Sequence, residues 1–407
     1  MKASALVCKG CSATYPLDAS FACIRCFGPL EVAYAEPGAP VARERVAAGP
    51  PTLWRYADFL PVAPPPTGLP VGLSPLIRAD RLADELGLGC ELYVKTETSN
   101  PTHSFKDRVV AVAAAKACEL GFEALACAST GNLAGATAAA GAALGLPAYI
   151  FVPADLEREK ILAAAAYGAR VFAVEGSYDD VNRLCSELAY ERPWAFVNVT
   201  MRAYYAEGSK TIALETAEQL GWRAPDRVVA PIASGSLYTK ILQGFEQGRA
   251  AGLVDPGPPP AMHGAQGAGC APVAAAFAAG SDAVVPVRPS GIAKSLAIGN
   301  PADGIYALEA ARRTGGTIEA VEDEEIVEGI QLLASTTGVF TETAGGVTVA
   351  VLRKLAERGA IADSETVVVY VTGDGLKTIG ALADRVSAIP VPASADAVDE
   401  VLGAITV

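Results

Sequence analysis

Asn100-Pro101-Thr102-His103-Ser104-Phe105-Lys106-Asp107-Arg108 is the stretch from which the fold is read. Ser104 followed by Asp107 fits a capping box, so a helix begins here and Lys106 falls in its first turn. The positive end of the helix dipole disfavours a cation at that place, and a lysine amine held there is suited to act as a nucleophile. Taken alone, the turn reads equally as an ordinary capped helix with a solvated lysine. Its meaning depends on what surrounds it.

Outward from this turn the chain alternates. Glu91–Val94 before it, and Ala124–Ala128, Ala148–Val152, Arg170–Val174, Val228–Ile232 and Thr366–Val371 after it, are short apolar runs that fit buried strands. Tyr178–Glu191 and Glu207–Leu220 are amphipathic and read as helices. Strand and helix in alternation predict an α/β fold of mostly parallel sheets with helices on both faces. The uncharged run Ala124–Ala154 is long enough to cross a bilayer, which takes about 20 residues. It is mostly Ala, however, and Ser129-Thr130-Gly131-Asn132, Gly141, Gly145 and Pro147 divide it into strand, turn, helix and strand, so no membrane is expected.

Residues 1–34 stand apart from this pattern. Cys8-x-x-Cys11 and Cys23-x-x-Cys26 can place four thiolates tetrahedrally around a zinc ion, supplying folding energy that so small a unit lacks. Neither pair has the βαβ context of thioredoxin chemistry. Four thiolates would also close the coordination sphere, so the segment is expected to be a structural zinc ribbon. Residues 35–75, rich in Pro and Gly, read as an extended arm. Residues 76–390 read as a catalytic domain with a smaller subdomain at approximately 100–205, and 391–407 as a tail.

Composition narrows the function. With 51% hydrophobic and 19% charged residues, dominant disorder is excluded. A net charge of −13 without a basic stripe speaks against nucleic acid as a partner. Met1–Cys11 lacks the apolar core of a signal peptide, and nine Cys without one point to a cytoplasmic protein rather than a disulfide scaffold. Cys90, Cys118, Cys127, Cys185 and Cys270 have apolar neighbours and read as core packing.

In doubly wound sheets, ligands bind at the carboxyl ends of strands. Three further turns there carry unusual residues. Ser129-Thr130-Gly131-Asn132 opens an Ala-rich helix and suits a carboxylate or phosphate, and Ala233-Ser234-Gly235-Ser236-Leu237 looks like a phosphate cradle. Thr372-Gly373-Asp374-Gly375-Leu376-Lys377 follows a strand but matches neither a Walker A nor a GxGxxG pattern. His103 and His263 are the two histidines of the chain, which excludes a multi-histidine metal centre, and no G-x-S-x-G elbow occurs. An amine, several hydroxyls and two anion turns suit a carbonyl cofactor bearing a phosphate, for which pyridoxal phosphate is the candidate.

At this point the motifs become a resemblance. NPTHSFKDR (Asn100–Arg108) is similar to the NPTGSFKDR turn of threonine synthases, whose lysine carries pyridoxal phosphate covalently. CASTGN (Cys127–Asn132), SLAIGNPA (Ser295–Ala302), GVFTETAGG (Gly338–Gly346) and TGDGLKT (Thr372–Thr378) resemble further segments of that family in the same order, as does the paired CxxC extension. The resemblance implies the tryptophan-synthase-β-like architecture of fold type II pyridoxal phosphate enzymes, with two subdomains. It also implies conversion of O-phospho-L-homoserine and water to L-threonine and phosphate, by γ-elimination and β-hydration. Carried over, Lys106 would hold the cofactor and move protons, Phe105 would lie beside it, and Asn132 would bond its ring oxygen. Ala233, Ser234, Gly235, Ser236 and Leu237 would wrap its phosphate, and Thr372 would face its ring nitrogen. Ser129 and Thr130 would take the substrate carboxylate. Arg202 and Lys210 (the latter favoured, from its EGSKT setting), with Lys160 more distantly, would meet the substrate phosphate. Asp374 is expected at a helix N-terminus or on the surface, not as the partner of the ring. A homodimer is implied by the same resemblance.

The chain departs from the family in three places. His103 stands where Gly is common, Leu133 stands where many members have Thr, and neither the phosphate turn nor Asn198–Lys210 has the usual form. Two rivals follow: another fold type II enzyme, such as a threonine or serine dehydratase or a β/γ-replacement enzyme, and a non-catalytic relative that binds ligands.

Overall fold

The computed structural model describes the chain except residues 21, 37, 130, 155–157, 177, 384 and 406–407, and the side chains of 158–160, 178–179 and 405. Thr130 and the Lys160 side chain therefore lie outside the described residues. The chain opens with β1 (Ala3–Cys8), β2 (Thr14–Tyr15) and β3 (Leu30–Tyr34), an antiparallel sheet in the order β2-β1-β3. β4 (Leu76–Arg78) and β5 (Glu91–Thr96) begin a larger sheet. The chain then leaves to build β6 (Ala124–Ala128), β7 (Ala148–Pro153), β8 (Arg170–Val174) and β9 (Trp194–Phe196), a parallel four-stranded sheet in the order β8-β7-β6-β9. It returns as β10 (Arg227–Pro231), β11 (Ala261–Gly267), β12 (Ile318–Val321) and β13 (Thr366–Val371). The six strands run β12-β11-β10-β13-β5-β4, parallel except for the edge pair β4–β5.

The expected strands are all present, within a residue or two at their ends. β6 and β13 are buried at every position, which is why they read as continuous apolar runs rather than alternating ones. β11, AMHGAQG, was not anticipated, although it lies in the interior of the sheet. Its polar residues are made compatible with burial locally. His263 meets Arg227 and Thr317 through its two ring nitrogens, and the Gln266 carbonyl accepts from the N–H groups of Val273 and Ala274. The arm is not featureless either: Leu53–Phe59 forms a 3₁₀ turn whose Leu53, Tyr56 and Phe59 are fully buried. Cys118 departs from the core-packing expectation, being exposed near the end of its helix, whereas Cys90, Cys127, Cys185 and Cys270 are buried. Among the described residues, no helix is long and apolar enough to cross a membrane.

A buried charge box fixes the helix Lys106–Glu119 against the large sheet. Arg108 donates to Glu97 at 2.6 and 2.9 Å and to Glu215 at 2.8 and 3.0 Å, Lys95 adds a 2.5 Å pair to Glu215, and these side chains are fully buried. Burial alone would raise the Glu215 carboxyl, but Arg108 and Lys95 outweigh it and hold it down at about 2. The helix Arg202–Gln219 brings Glu215 to this box and packs on the Lys106 helix so closely that a Cβ on Gly208 would strike the Arg108 carbonyl. Sequence-distant elements are thus locked together directly beneath Lys106.

Candidate active site

Lys106 is the first residue of its helix, as anticipated, but the capping box is not formed. Asp107 turns back to accept from the Thr102 N–H and hydroxyl, at 2.8 and 2.7 Å, and Ser104 Oγ is left buried with no partner. A tight turn rather than a cap therefore sets the start of the helix. His103 occupies that turn at φ +60°, the left-handed region, which accounts physically for the glycine common at this position in the resembling family. Its ring is exposed and bonds back to the Thr98 carbonyl at 3.1 Å.

The Lys106 ammonium donates to the Tyr205 hydroxyl at 2.9 Å and lies 4.5 Å from the Phe105 ring centroid. Two chains of contacts meet here. The first comes from the turn after β13. The Phe105 N–H donates to the Thr372 carbonyl (2.9 Å), the Asp374 N–H to the His103 carbonyl (3.1 Å), and the Glu342 N–H to the Gly373 carbonyl (3.1 Å). Glu342 in turn accepts from the Asn132 amide at 3.0 and 3.1 Å, which joins the small-sheet turn to the large sheet. Burial pushes the Glu342 carboxyl up, against the pull of Asn132, Lys377 and Lys106. Gly373 makes the approach possible, since a Cβ there would lie 2.5 Å from Glu342 Oε1. Asp374 accepts from the Leu376 N–H at 2.8 Å, the helix-opening role expected of it.

The second chain runs through Arg202, one turn before Tyr205 on the same helix. Arg202 pairs with Asp303 at 2.7 Å, and the Asp303 N–H donates to the Ser234 carbonyl at 2.8 Å. Gly235, at φ +94°, then opens the helix Ser236–Ala250. The turn Ala233–Leu237 is thereby tied to Lys106 through Asp303, Arg202 and Tyr205. Ser129 is buried in the small-sheet turn, its hydroxyl accepting from the Gly131 N–H at 3.2 Å.

The structure places the two phosphate candidates differently. Lys210 is fully buried on the other side of its helix, its ammonium held by Glu207 at 2.5 Å and Gln247 at 2.9 Å and lying 3.8 Å from the Tyr34 ring centroid. Burial lowers its pKa to about 8, with Glu207 opposing. It belongs to the clamp that docks β3 on the catalytic domain, together with Lys240, which bonds Glu31 and Glu207 at 2.6 Å each. Arg202, a quarter exposed, lies one turn from Tyr205, the partner of Lys106. Glu342, Tyr205 and Asp303 were not singled out from sequence. Glu342 lies within the GVFTETAGG segment, whereas nothing in the sequence marked the other two.

The residues fit pyridoxal phosphate. Ser104 Oγ, Asn198 Oδ1 and Thr343 Oγ1 are buried without partners in the turns after β5 and β9 and beside Glu342, where a polar ligand would satisfy them. The helix start after Gly235 has no N-cap side-chain bond, and apart from a long 3.4 Å bond from the Ser236 N–H to Ser234 Oγ its first turn suits a phosphate. In the ribbon, Cys8, Cys11, Cys23 and Cys26 bring their sulfurs within 4.8 Å of one another, with pairs at 3.4 and 3.5 Å. Sulfurs on a tetrahedral zinc at Zn–S of about 2.3 Å stand roughly 3.8 Å apart. The two knuckles repeat one geometry: the Ser12 and Phe27 N–H groups bond the Cys8 and Cys23 carbonyls, both at 2.9 Å, with φ of 59° and 58°.

A fold of this kind with a lysine at the meeting point of anion turns defines a class, and comparison agrees: residues 68–373 match the model of the pyridoxal-phosphate dependent enzymes, and the chain belongs to that family. Within it, the chain is 39% identical to threonine synthase of Methanosarcina acetivorans, over 91% of this chain and 92% of the relative. It is 38% identical to threonine synthase of Methanocaldococcus jannaschii, over 96% of both. Among solved structures it resembles a fungal L-serine ammonia-lyase from Rhizomucor miehei, with a TM-score of 0.65, 21% identity and coverage of 77% of this chain and 97% of that one. That likeness shows the fold alone.

Proposed function

We infer that the chain is a threonine synthase, a pyridoxal-phosphate-dependent lyase that converts O-phospho-L-homoserine and water to L-threonine and phosphate. The observation that carries this reading is the Lys106 amine at the junction of two anion-suited turns, in a chain aligned over nine-tenths of its length with relatives of that name. Lys106 would hold the cofactor, the turn Ala233–Leu237 its phosphate, and Asn132, Phe105 and Thr372 its ring. When bound, pyridoxal phosphate supplies an electron sink for the charge left by a departing proton.

The protein's own groups do the rest. Lys106 Nζ moves protons at the α and β carbons, and the Tyr205 hydroxyl, 2.9 Å away, keeps that nitrogen aimed. Ser129 and the start of the helix Asn132–Leu144 receive the substrate carboxylate. Arg202 meets the leaving phosphate, because a second anion site is what distinguishes γ-elimination from the loss of a β-hydroxyl. Glu342 orients Asn132 through two hydrogen bonds. In the ribbon, four thiolates hold a structural zinc, their sulfurs already receiving the Gly10 and Arg25 N–H groups at 3.4 and 3.3 Å.

The test is product analysis. Purified enzyme given O-phosphohomoserine should release threonine and inorganic phosphate in equal amounts, and Lys106→Ala should lose both activity and the visible absorbance of the bound cofactor. Rapid deamination of threonine or serine with no phosphate released would overturn the assignment in favour of a dehydratase.

A further inference from the structure

We propose that Lys9, in the first cysteine knuckle, is a positioning residue for the substrate phosphate: it shares Asp303 with Arg202, which leaves Arg202 able to engage an anion and couples the ribbon to the phosphate end of the site. The inference rests on the reading of Arg202 given above. Lys9 lies between Cys8 and Cys11, and its N–H donates to the Pro29 carbonyl at 3.0 Å. Its side chain leaves the ribbon altogether. The ammonium is 3.5 Å from Asp303 Oδ1 and 3.6 Å from the centroid of the Tyr306 ring.

Asp303 is a junction. Its Oδ1 faces Lys9, its Oδ2 takes Arg202 at 2.7 Å, and its N–H donates to Ser234 of the phosphate turn at 2.8 Å. Its carbonyl is the atom that a Cβ on Gly235 would meet first, at 2.7 Å. A carboxylate divided between two cations neutralises neither fully. Without Lys9, the nearly buried Asp303 has, among the described residues, Arg202 alone as a cation partner and draws the guanidinium into a bidentate pair, at the expense of any substrate anion. Because Cys8 and Cys11 fix the backbone that carries Lys9, loss of metal from the knuckle acts in the same direction.

The test uses cofactor-loaded, full-length enzyme. Lys9→Met should keep its metal content and cofactor absorbance. It should raise both KM for O-phosphohomoserine and the dissociation constant of inorganic phosphate about tenfold, with kcat changed by less than about twofold. Lys9→Arg should restore both constants. Chelating the metal should raise the same two constants in the unaltered enzyme and add nothing in Lys9→Met. An unchanged phosphate dissociation constant in metal-replete Lys9→Met overturns the proposal, as does a loss confined to kcat. Tyr306→Leu, which removes the shelf under Lys9 from outside the ribbon, carries the same expectation and the same refutation if Lys9→Met does not fold. An unaltered enzyme that releases no phosphate from O-phosphohomoserine refutes the functional reading instead, and the phosphate-binding measurement still decides the role of Lys9.

Discussion

The charge box under the Lys106 helix and the turns that meet around Lys106 are both buried and polar, yet they differ in how completely their groups are partnered. In the box, Arg108, Lys95, Glu97 and Glu215 take up one another's charge at 2.5–3.0 Å. In the turns after β5 and β9 and beside Glu342, Ser104 Oγ, Asn198 Oδ1 and Thr343 Oγ1 have no partner (a fourth such atom, Thr137 Oγ1, lies within the helix Asn132–Leu144), and burial pushes the Glu342 carboxyl up. A satisfied buried network rigidifies a fold, whereas unsatisfied polar atoms in a native interior mark a place built for something else. The contrast also sorts two cations on one helix. Lys210 is consumed by the ribbon clamp, while Arg202 stays a quarter exposed beside the phosphate turn.

The largest expected effect tests the saturated side. Arg108→Met removes one partner from a buried ion cluster and should lower the unfolding free energy by about 3–5 kcal/mol in denaturant titration. A loss under about 1 kcal/mol would break the distinction between the box and the turns around Lys106. Next, Arg202→Met should reduce kcat/KM for O-phosphohomoserine roughly 10- to 150-fold, the loss of a charge-assisted bond of about 1.5–3 kcal/mol, with little change in melting temperature. Lys210→Met should do the reverse, lowering stability while the folded fraction keeps kcat/KM within about threefold. Ser104→Ala should leave the cofactor-free protein as stable as before, since it deletes an unpaired buried group, and should weaken cofactor binding about fivefold.

The smallest effect separates the regions by pH. Burial alone would raise the Glu31 carboxyl, but Lys240 and Lys9 outweigh it and hold it at about 2. Its stabilisation is thus complete above the ordinary carboxyl value of about 4.3 and lost as pH falls towards 2. Glu342, raised by burial, has the opposite sign: its contribution is complete below the ordinary value and fades as pH rises through the raised one. The melting-temperature gap between unaltered protein and Glu31→Gln should therefore be constant above pH ~5 and close in acid, whereas the gap for Glu342→Gln should open as pH rises. Parallel curves for the two variants would defeat the comparison.

The parallel strands, the lysine turn and the four cysteines were legible in the sequence because each is specified locally, by an apolar run, a turn or a spacing. The remainder depended on contacts between distant residues. Nothing near Lys106 in sequence announces Tyr205, and Asp303 gains its meaning only when Lys9, Arg202 and Ser234 converge on it. A local likeness of EGSKT could not reveal that Lys210 is buried between Glu207 and Gln247. β11 escaped notice because its Ala, Gly, His and Gln carry little strand preference, and its burial is made tolerable by side chains from other elements.

The doubled knuckle also orders events in time. During synthesis the four cysteines emerge well before the partners on which the ribbon later rests, since Glu207 of the clamp follows Cys26 by about 180 residues. At roughly 5–20 residues per second, that gap lasts about 9–36 s. For that interval β1–β3 have no catalytic domain to lean on, and a captured metal ion is what can close the two knuckles around a common centre. Metal supply at the ribosome would then govern how much of the chain reaches its docked form, before any substrate is met.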